Sequence, residues 1–216
     1  KLGGKIFTSF KASGFETLNL ICEGFLPKSN YSKTLSNILL GIKLKSYKFI
    51  KYKCCEEKNN PSKKNINLIC NKSMFLERDF KTKQALIDGI FETRDLTSEP
   101  ANILHPEEFV SRLKKLETLK LEVEILDEKE MQQLGMNALL GVGKGSSKKS
   151  FLVVLKWNGG KQNEKPILYL GKGVCFDSGG ISIKSSRGME DMKWDMGGAA
   201  IVAGAMKSIA LQNVPK

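Results

Sequence analysis

Apolar residues recur along this chain with two different periods, and the two periods predict strands and helices in alternation. Short apolar or alternating runs predict strands at 17–25, 49–54, 66–71, 121–126, 151–157 and 166–171. Apolar residues spaced three or four apart predict helices at 31–47, 74–95, 106–119, 127–135 and 197–206. This alternation is typical of an α/β fold whose sheet is largely parallel or mixed.

Two of these helices have a predicted core face. The helix over 31–47 would bury Leu35, Ile38, Leu39 and Ile42, and the helix over 74–95 would bury Phe80, Ala85, Leu86, Ile90 and Phe91. The second helix lacks proline and is predicted to link two domains: a partial N-terminal α/β domain over 1–73 and the first part of a mixed-sheet α/β domain over 96–216. Asp127 and Glu130 have the spacing of a helix-capping pair.

Composition places the chain among globular proteins that do not cross a membrane. Its 216 residues are 41% hydrophobic and 27% charged, and no apolar run approaches the roughly 20 residues that a membrane-spanning helix needs. No signal peptide is visible at Lys1. The five cysteines show no CxxC spacing, which indicates reduced thiols and a cytoplasmic location; they are Cys22, Cys54, Cys55, Cys70 and Cys175.

The chain contains a single histidine, His105, directly before Pro106. A residue before proline favours an extended backbone, and proline is common in the first turn of a helix. We interpret His105 as a structural residue at a helix entry. A zinc site built from several histidines, or a Ser/His/Asp triad, would have to use this one imidazole, so any metal chemistry here is expected to rest on oxygen ligands.

Positive charge is concentrated at the N-terminal end. The formal net charge is +12, and residues 1–65 contain thirteen lysines against four glutamates. Such polarity is compatible with weak, non-specific nucleic-acid binding. However, the chain has only four arginines and no established DNA- or RNA-reading motif, and a compositional bias towards lysine and asparagine explains the charge equally well.

The stretch GKGVCFDSGGISIKSSRGMEDMKWDMGGAA, residues 171–200, threads charges through a glycine-rich and otherwise apolar sequence. We call it the charged segment. It contains Lys172, Asp177, Lys184 and Asp195, between a predicted buried strand and a helix of small residues. Ligands of parallel sheets bind beyond the carboxyl ends of the strands, and Lys172 is expected at such an end.

The residue types in the charged segment suit a cation site. Asp177 precedes Ser-Gly-Gly, where glycines permit a sharp turn, and Asp195 precedes a predicted helix, whose N-terminus favours an ionised carboxylate. Two such oxygen donors could hold Zn²⁺, Mn²⁺ or Mg²⁺. Lysine is a rare ligand, because its amine must first lose a proton, but a neighbouring dication favours that loss. On spacing alone, a salt-bridged loop over a sheet edge explains these residues equally well.

Two other stretches of the sequence are weaker candidates for a functional site than the charged segment. GVGKGS at 141–146 looks like a phosphate-binding loop, but its lysine is followed by glycine and the earlier glycine is replaced by Ala138, so a turn-rich loop is predicted. Cys175 has no base partner nearby in sequence and is interpreted as a buried structural thiol.

The charged segment resembles the first metal-binding segment of the leucyl aminopeptidase (cytosol aminopeptidase) family. The resemblance extends to TRDLTSEPANILHP at 93–106 and GMNALLGVGKGS at 135–146, and it covers about residues 85–210. It implies a metal-dependent aminopeptidase that removes unblocked N-terminal residues, leucine especially, from peptides. It also implies two divalent ions, Zn²⁺ or Mn²⁺, a cytoplasmic location and a hexameric full-length protein.

By the same resemblance, Lys172, Asp177 and Asp195 are metal ligands, Asp177 bridges the two ions and Lys184 is the catalytic lysine. The family's second motif, Asn-Thr-Asp-Ala-Glu-Gly-Arg, does not occur in these residues. We therefore expect this chain to be a fragment that is inactive alone, with 96–216 as the first part of the catalytic domain. A basic DNA-binding protein and a partial gene product without catalysis remain alternatives.

Overall fold

The structure is a computed structural model, and it describes residues 1–22, 30–53, 64–70, 73–161 and 164–215. It divides into two compact units, residues 1–87 and 88–216, and the division falls within one helix. Each unit combines helices with a two-stranded sheet among its described residues. The predicted α/β class is confirmed, with one parallel and one antiparallel pair of strands.

The first unit pairs two helices and two parallel strands. Its elements are α1 (Leu2–Ala12), β1 (Thr17–Ile21), α2 (Tyr31–Ser46), β2 (Asn65–Ile69) and the first part of α3 (Ser73–Ser98). Strands β1 and β2 pair in register from Thr17↔Asn65 to Ile21↔Ile69, with exposed and half-buried positions alternating. Helices α1 and α2 approach closely at Gly3, where a Cβ atom would lie 2.0 Å from the Ile38 carbonyl oxygen.

The second unit packs its helices around a larger core. It continues with the rest of α3, then α4 (Pro106–Lys114), a 3-10 helix (Lys115–Leu119), β3 (Glu122–Leu126), α5 (Glu128–Gln133), α6 (Asn137–Gly143), β4 (Leu152–Lys156), a 3-10 helix (Met189–Trp194) and α7 (Gly197–Gln212). Strands β3 and β4 are antiparallel. The buried core includes Leu96, Leu104, Phe109, Met196, Ala200 and Ala203.

Two entries into helices of this unit follow the sequence expectations. Asp127 caps α5: its carboxylate accepts a hydrogen bond from the Glu130 N–H at 2.9 Å, and the Glu130 carboxylate accepts one from the Asp127 N–H at 2.8 Å. His105 is extended immediately before α4, with Pro106 in the first turn. Its Nδ1 lies 2.7 Å from a Glu107 carboxylate oxygen.

Two predicted strands are wrong. Residues 49–53 form a loop and a turn, closed by a hydrogen bond from the Lys53 N–H to the Ile50 carbonyl at 3.2 Å; Cys54 lies outside the described residues. Residues 166–171 form no strand, although the sequence predicts a buried one. Instead Leu168 and Leu170 are 75% and 87% exposed, because no described strand pairs with this stretch.

Two helices differ in detail from the sequence predictions. Residues 141–143, expected in a loop, complete helix α6. On α3 the side chain of Leu86 is 38% exposed although it was predicted in the core, whereas Ala85 is buried as predicted and Ile87 is buried as well. Within the described ranges, the helices lack the combination of length and apolar character that a membrane span requires.

Candidate metal centre

A tight loop brings Asp177 and Lys184 together. The Asp177 carboxylate accepts a hydrogen bond from the Gly179 N–H at 2.9 Å, and the Lys184 N–H donates to the Ser178 carbonyl at 2.9 Å. Gly179 has a φ of +90°, and a Cβ atom there would lie 2.3 Å from the Ser182 carbonyl oxygen. Only glycine suits this position. The turn places Lys184 Nζ 3.3 Å from Asp177 Oδ2.

A second close approach joins Lys172 to Asp195. Asp195 ends the 3-10 helix over Met189–Trp194, directly before α7. The Ala199 N–H, in the first turn of α7, donates to the Lys172 carbonyl at 2.8 Å. A Cβ atom at Gly198 would lie 2.9 Å from the Lys172 nitrogen, so glycine permits this contact. The Lys172 ammonium then forms an ion pair with Asp195 Oδ2.

One oxygen of the Asp195 carboxylate is buried and has a lysine as its charge partner. This oxygen, Oδ2, is inaccessible to solvent and accepts no hydrogen bond, although the Lys172 ammonium is its ion-pair partner. The ion pair and the missing hydrogen bond are compatible, because an ammonium can attract a carboxylate oxygen by charge without pointing one of its N–H groups at that oxygen. The ammonium compensates the charge of this oxygen, and a divalent cation could take its place because carboxylate oxygens are preferred ligands of such ions. The residues present therefore fit a metal ion.

The two ion pairs belong to one cluster of charges. The Gly179 N–H bond, followed by the Lys184 ammonium, lowers the pKa of Asp177 below its usual value, and Lys172 also contributes. Lys172 therefore connects the two ion pairs, because it pairs with Asp195 and also acts on Asp177. Asp177 is ionised at neutral pH, as a metal ligand must be.

The cluster supplies a small number of ligands. Within the described residues, no three His, Cys, Asp or Glu side chains are grouped closely enough to hold an ion. The charged segment offers two carboxylates, and each has a lysine as its ion-pair partner. A centre with two ions would need further oxygen ligands beyond these.

The sequence identified these four side chains but not how they are brought together. Lys172 was expected at a strand end, and it instead follows an exposed extended stretch. The contacts that set its position are glycine contacts: a Cβ atom at Gly171 would lie 2.6 Å from the Ala199 Cα, which matches the tight fit at Gly198. The glycines flanking Lys172 and opening α7 are the sequence signal for this contact.

Cys175 is inert, as the sequence suggested. Its side chain is buried in the core of the second unit. Burial, with a smaller contribution from Glu107, raises the pKa of the Cys175 thiol to about 11. A nucleophilic cysteine needs a lowered pKa, so this thiol is structural.

A broad apolar concavity lies beside the cluster without containing it. It has a volume of about 2200 Å³, lies between β4, residues 166–172 and α7, and includes Lys172 but not Asp177, Lys184 or Asp195. Small-molecule pockets are typically about 300–1,000 Å³. This larger apolar surface has the character of an uncovered core face, and the charged cluster is the better candidate for chemistry.

The fold and the cluster define an α/β protein with a carboxylate–lysine site at the start of a helix. The family model for the catalytic domain of the cytosol aminopeptidase family matches residues 91–216, which include the whole cluster. The chain belongs to the cytosol aminopeptidase family. This confirms the resemblance first seen in the charged segment.

Relatives and solved structures agree with the family. The chain is 47% identical over 206 residues to a probable cytosol aminopeptidase of Caulobacter vibrioides, covering 94% of this chain and 41% of that protein. It is 44% identical over 214 residues to one of Brucella suis, covering 97% and 42%. The chain thus spans about two fifths of the length of the curated relatives it matches.

Two solved structures share the fold across 99% of this chain. The cytosol aminopeptidase of Coxiella burnetii has a TM-score of 0.79 and 29% identity, and 43% of that chain is covered. The bottromycin maturation enzyme BotP, described in complex with Mn, has a TM-score of 0.75 and 25% identity, and 45% of that chain is covered.

Proposed function

We propose that this chain carries the first part of a two-metal aminopeptidase site that removes unblocked N-terminal residues, leucine especially, from peptides. One observation carries the proposal: the charged segment pairs each of its two carboxylates with a lysine, and Lys172, which pairs with Asp195, also acts on Asp177. Membership of the cytosol aminopeptidase family supports it.

Each side chain has a proposed role. Asp177, Asp195 and Lys172 would hold the divalent ions, Zn²⁺ or Mn²⁺, with Asp177 shared between the two. Ion binding would replace the two lysine–aspartate ion pairs. That exchange frees the Lys184 ammonium for the substrate. BotP, a structural neighbour, is described in complex with Mn, which supports a metal ion in a protein of this fold.

The chemistry follows from these roles. When bound, the two ions supply Lewis acidity and lower the pKa of water in the site, which removes the need for a histidine base. Lys184 lies on the glycine turn and is 40% exposed, so its ammonium can reach a bound peptide. There it donates a hydrogen bond to the scissile carbonyl oxygen as negative charge develops.

The proposal concerns a whole enzyme larger than the residues given. The present ligand set is short of a complete two-ion centre, so the chain alone is expected to hydrolyse nothing. Cytoplasmic location and assembly into a hexamer are part of the same proposal. The DNA-binding alternative is not favoured, because the comparisons point to a peptidase.

A chimera tests the proposed function. This chain would replace the matching 41% of the Caulobacter vibrioides relative, so that the remainder of the relative completes the site. With Zn²⁺ or Mn²⁺ supplied, we expect hydrolysis of leucine p-nitroanilide. Lys184→Ala should lower kcat by about 10²–10³-fold with metal content unchanged. Asp177→Ala should abolish activity and lower the bound metal measured by mass spectrometry.

The matched control is Lys129→Ala, which removes an exposed lysine on α5, outside the cluster. It should leave both rate and metal content unchanged. A folded chimera that binds metal yet hydrolyses no leucine substrate would contradict the proposed activity. Full activity in Lys184→Ala would contradict the catalytic role proposed for Lys184 but not the proposed peptidase activity.

A further inference from the structure

Two cysteines of the first unit lie side by side at the ends of neighbouring strands. Cys22 follows β1 and Cys70 follows β2. The strands are parallel and in register up to Ile21↔Ile69, and the Cys22 N–H donates to the Ile69 carbonyl at 3.0 Å. The pairing therefore continues by one residue and sets Cys22 beside Cys70.

Their side chains share one face of the sheet. Residues in register on parallel strands point to the same side, and side chains alternate between faces along each strand. Leu20 and Leu68 occupy the half-buried face, and Cys22 and Cys70, two positions further on, are half-buried like them. Both cysteines are free thiols.

The spacing suits a covalent link. Neighbouring strands lie about 4.8 Å apart, and disulfides join residues whose Cα atoms are about 4.4–6.8 Å apart. The thiols also interact: burial raises the pKa of Cys22, and the neighbouring Cys70 raises it further. The raised pKa keeps the Cys22 thiol largely protonated at neutral pH, so we expect thiol–disulfide exchange to be faster at alkaline pH, where the thiolate forms.

We propose that Cys22 and Cys70 form a reversible disulfide that ties β1 to β2. The oxidant is a low-molecular-weight disulfide such as oxidised glutathione. One cysteine thiolate attacks a glutathione sulfur, which forms a mixed disulfide and releases one glutathione. The second cysteine thiolate attacks the protein sulfur of the mixed disulfide, which forms the Cys22–Cys70 bond and releases the second glutathione. Two protein thiols are oxidised, and their two protons end on two glutathione thiols.

The link would act on a weak part of the fold. β1 and β2 form a sheet of two strands in the described residues, and such small sheets contribute little stability alone. The bond would close a loop from residue 22 to residue 70 and restrict the unfolded chain. Because these cysteines are independent of the metal cluster, the proposal stands whether or not the proposed peptidase activity is found.

Peptide mapping of the whole chain tests the proposal. The reduced protein would be incubated with oxidised glutathione, remaining thiols blocked with iodoacetamide, and disulfide-linked peptides identified by mass spectrometry. We expect one dominant link, Cys22–Cys70. The midpoint of thermal unfolding should rise by roughly 5–15 °C and return to its starting value with dithiothreitol.

Single variants distinguish a Cys22–Cys70 disulfide from two thiols that react independently with glutathione. Cys70→Ser should lose the thermal shift and trap Cys22 as a mixed disulfide with glutathione, whereas Cys175→Ala, which alters a buried thiol elsewhere, should keep the shift. Links to Cys54 or Cys55 instead, or glutathione retained on both Cys22 and Cys70, would overturn the proposal. The mapping of the unmutated chain decides this even if a variant fails to fold.

Discussion

Individual side chains of this protein show how burial decides chemical character. Cys175 and Asp177 are two residues apart, yet the Cys175 thiol is enclosed in the core and the Asp177 carboxylate is solvated. Burial favours the neutral thiol, and hydrogen bonding with nearby ammonium groups favours the charged carboxylate. One short stretch of chain therefore contains an inert thiol next to a carboxylate suited to bind a cation.

The raised pKa of Cys175 predicts a dependence of stability on alkaline pH. The folded thiol has a pKa of about 11 against an ordinary 9.0. Its contribution is fully present below pH 9 and is lost as the pH rises towards 11, because the unfolded thiol ionises first. Urea unfolding at pH 8 and 10.5 should show a loss of stability that is about 2 kcal/mol smaller in Cys175→Ala. Equal losses in both proteins would contradict this.

Residue types were more predictable than residue contacts. The pairs Asp127 with Glu130 and Asp177 with Asp195 could be selected because short-range spacing and flanking glycines carry their signal. The ion-pair partners could not, since Lys172 and Asp195 meet only through the packing of residues 171–172 against α7. Contacts of that kind depend on tertiary structure rather than on local pattern.

Helices and strands were likewise predictable only where their signal is local to one segment of the chain. The helices α2, α3 and α7 were predicted because an apolar stripe at helical spacing is a property of one segment, and a helix forms its own hydrogen bonds. The stretch 166–171 has the composition of a buried strand and is not one, because a strand needs a partner to accept and donate its hydrogen bonds. Short connections depend instead on particular backbone angles, as the 177–184 loop shows.

Two neighbouring glycines allow a matched test of that loop. Gly179 and Gly180 both have positive φ. A Cβ atom at Gly179 would lie 2.9 Å from the Lys184 backbone nitrogen, whereas a Cβ atom at Gly180 would have no neighbour within 4 Å. Gly180→Ala adds only the left-handed penalty, about 1 kcal/mol. Gly179→Ala should also break the Lys184 N–H bond to Ser178, so the Lys184 amide should exchange hydrogen at least about tenfold faster than in Gly180→Ala. Equal exchange rates would contradict this geometry.

On the scale of the whole molecule, apolar surface is distributed unevenly. Residues 167–170 are all more than half exposed, and they border the broad concavity beside β4. Contiguous exposed apolar surface of this kind favours association with other polypeptide. The α/β class and the family were predictable from sequence; this open face was not, because the composition of these residues is that of a covered strand.

The open face predicts self-association of the chain when it is produced alone. Leu170 is 87% exposed within this face, and Leu134 is 61% exposed directly after α5, outside it. In sedimentation velocity at equal concentrations, the unmutated chain should form species larger than a monomer. Leu170→Asp should shift the distribution towards monomer, whereas Leu134→Asp should not. The same shift in both variants would show that general apolar exposure, not this face, drives association.

The crossing of α3 and α7 limits how this protein can change by mutation. A Cβ atom at Gly89 would lie 2.2 Å from the Gly204 carbonyl oxygen, and one at Gly204 would lie 2.3 Å from the Gly89 carbonyl oxygen. Thr93 adds a hydrogen bond to the Ala200 carbonyl at 3.0 Å. A larger side chain at either glycine would push α7 away, together with the Asp195 that precedes it. If random variants of this chain were selected only for a folded second unit, both glycines should therefore be retained. The position of α7, and with it the position of Asp195, would then be retained as well.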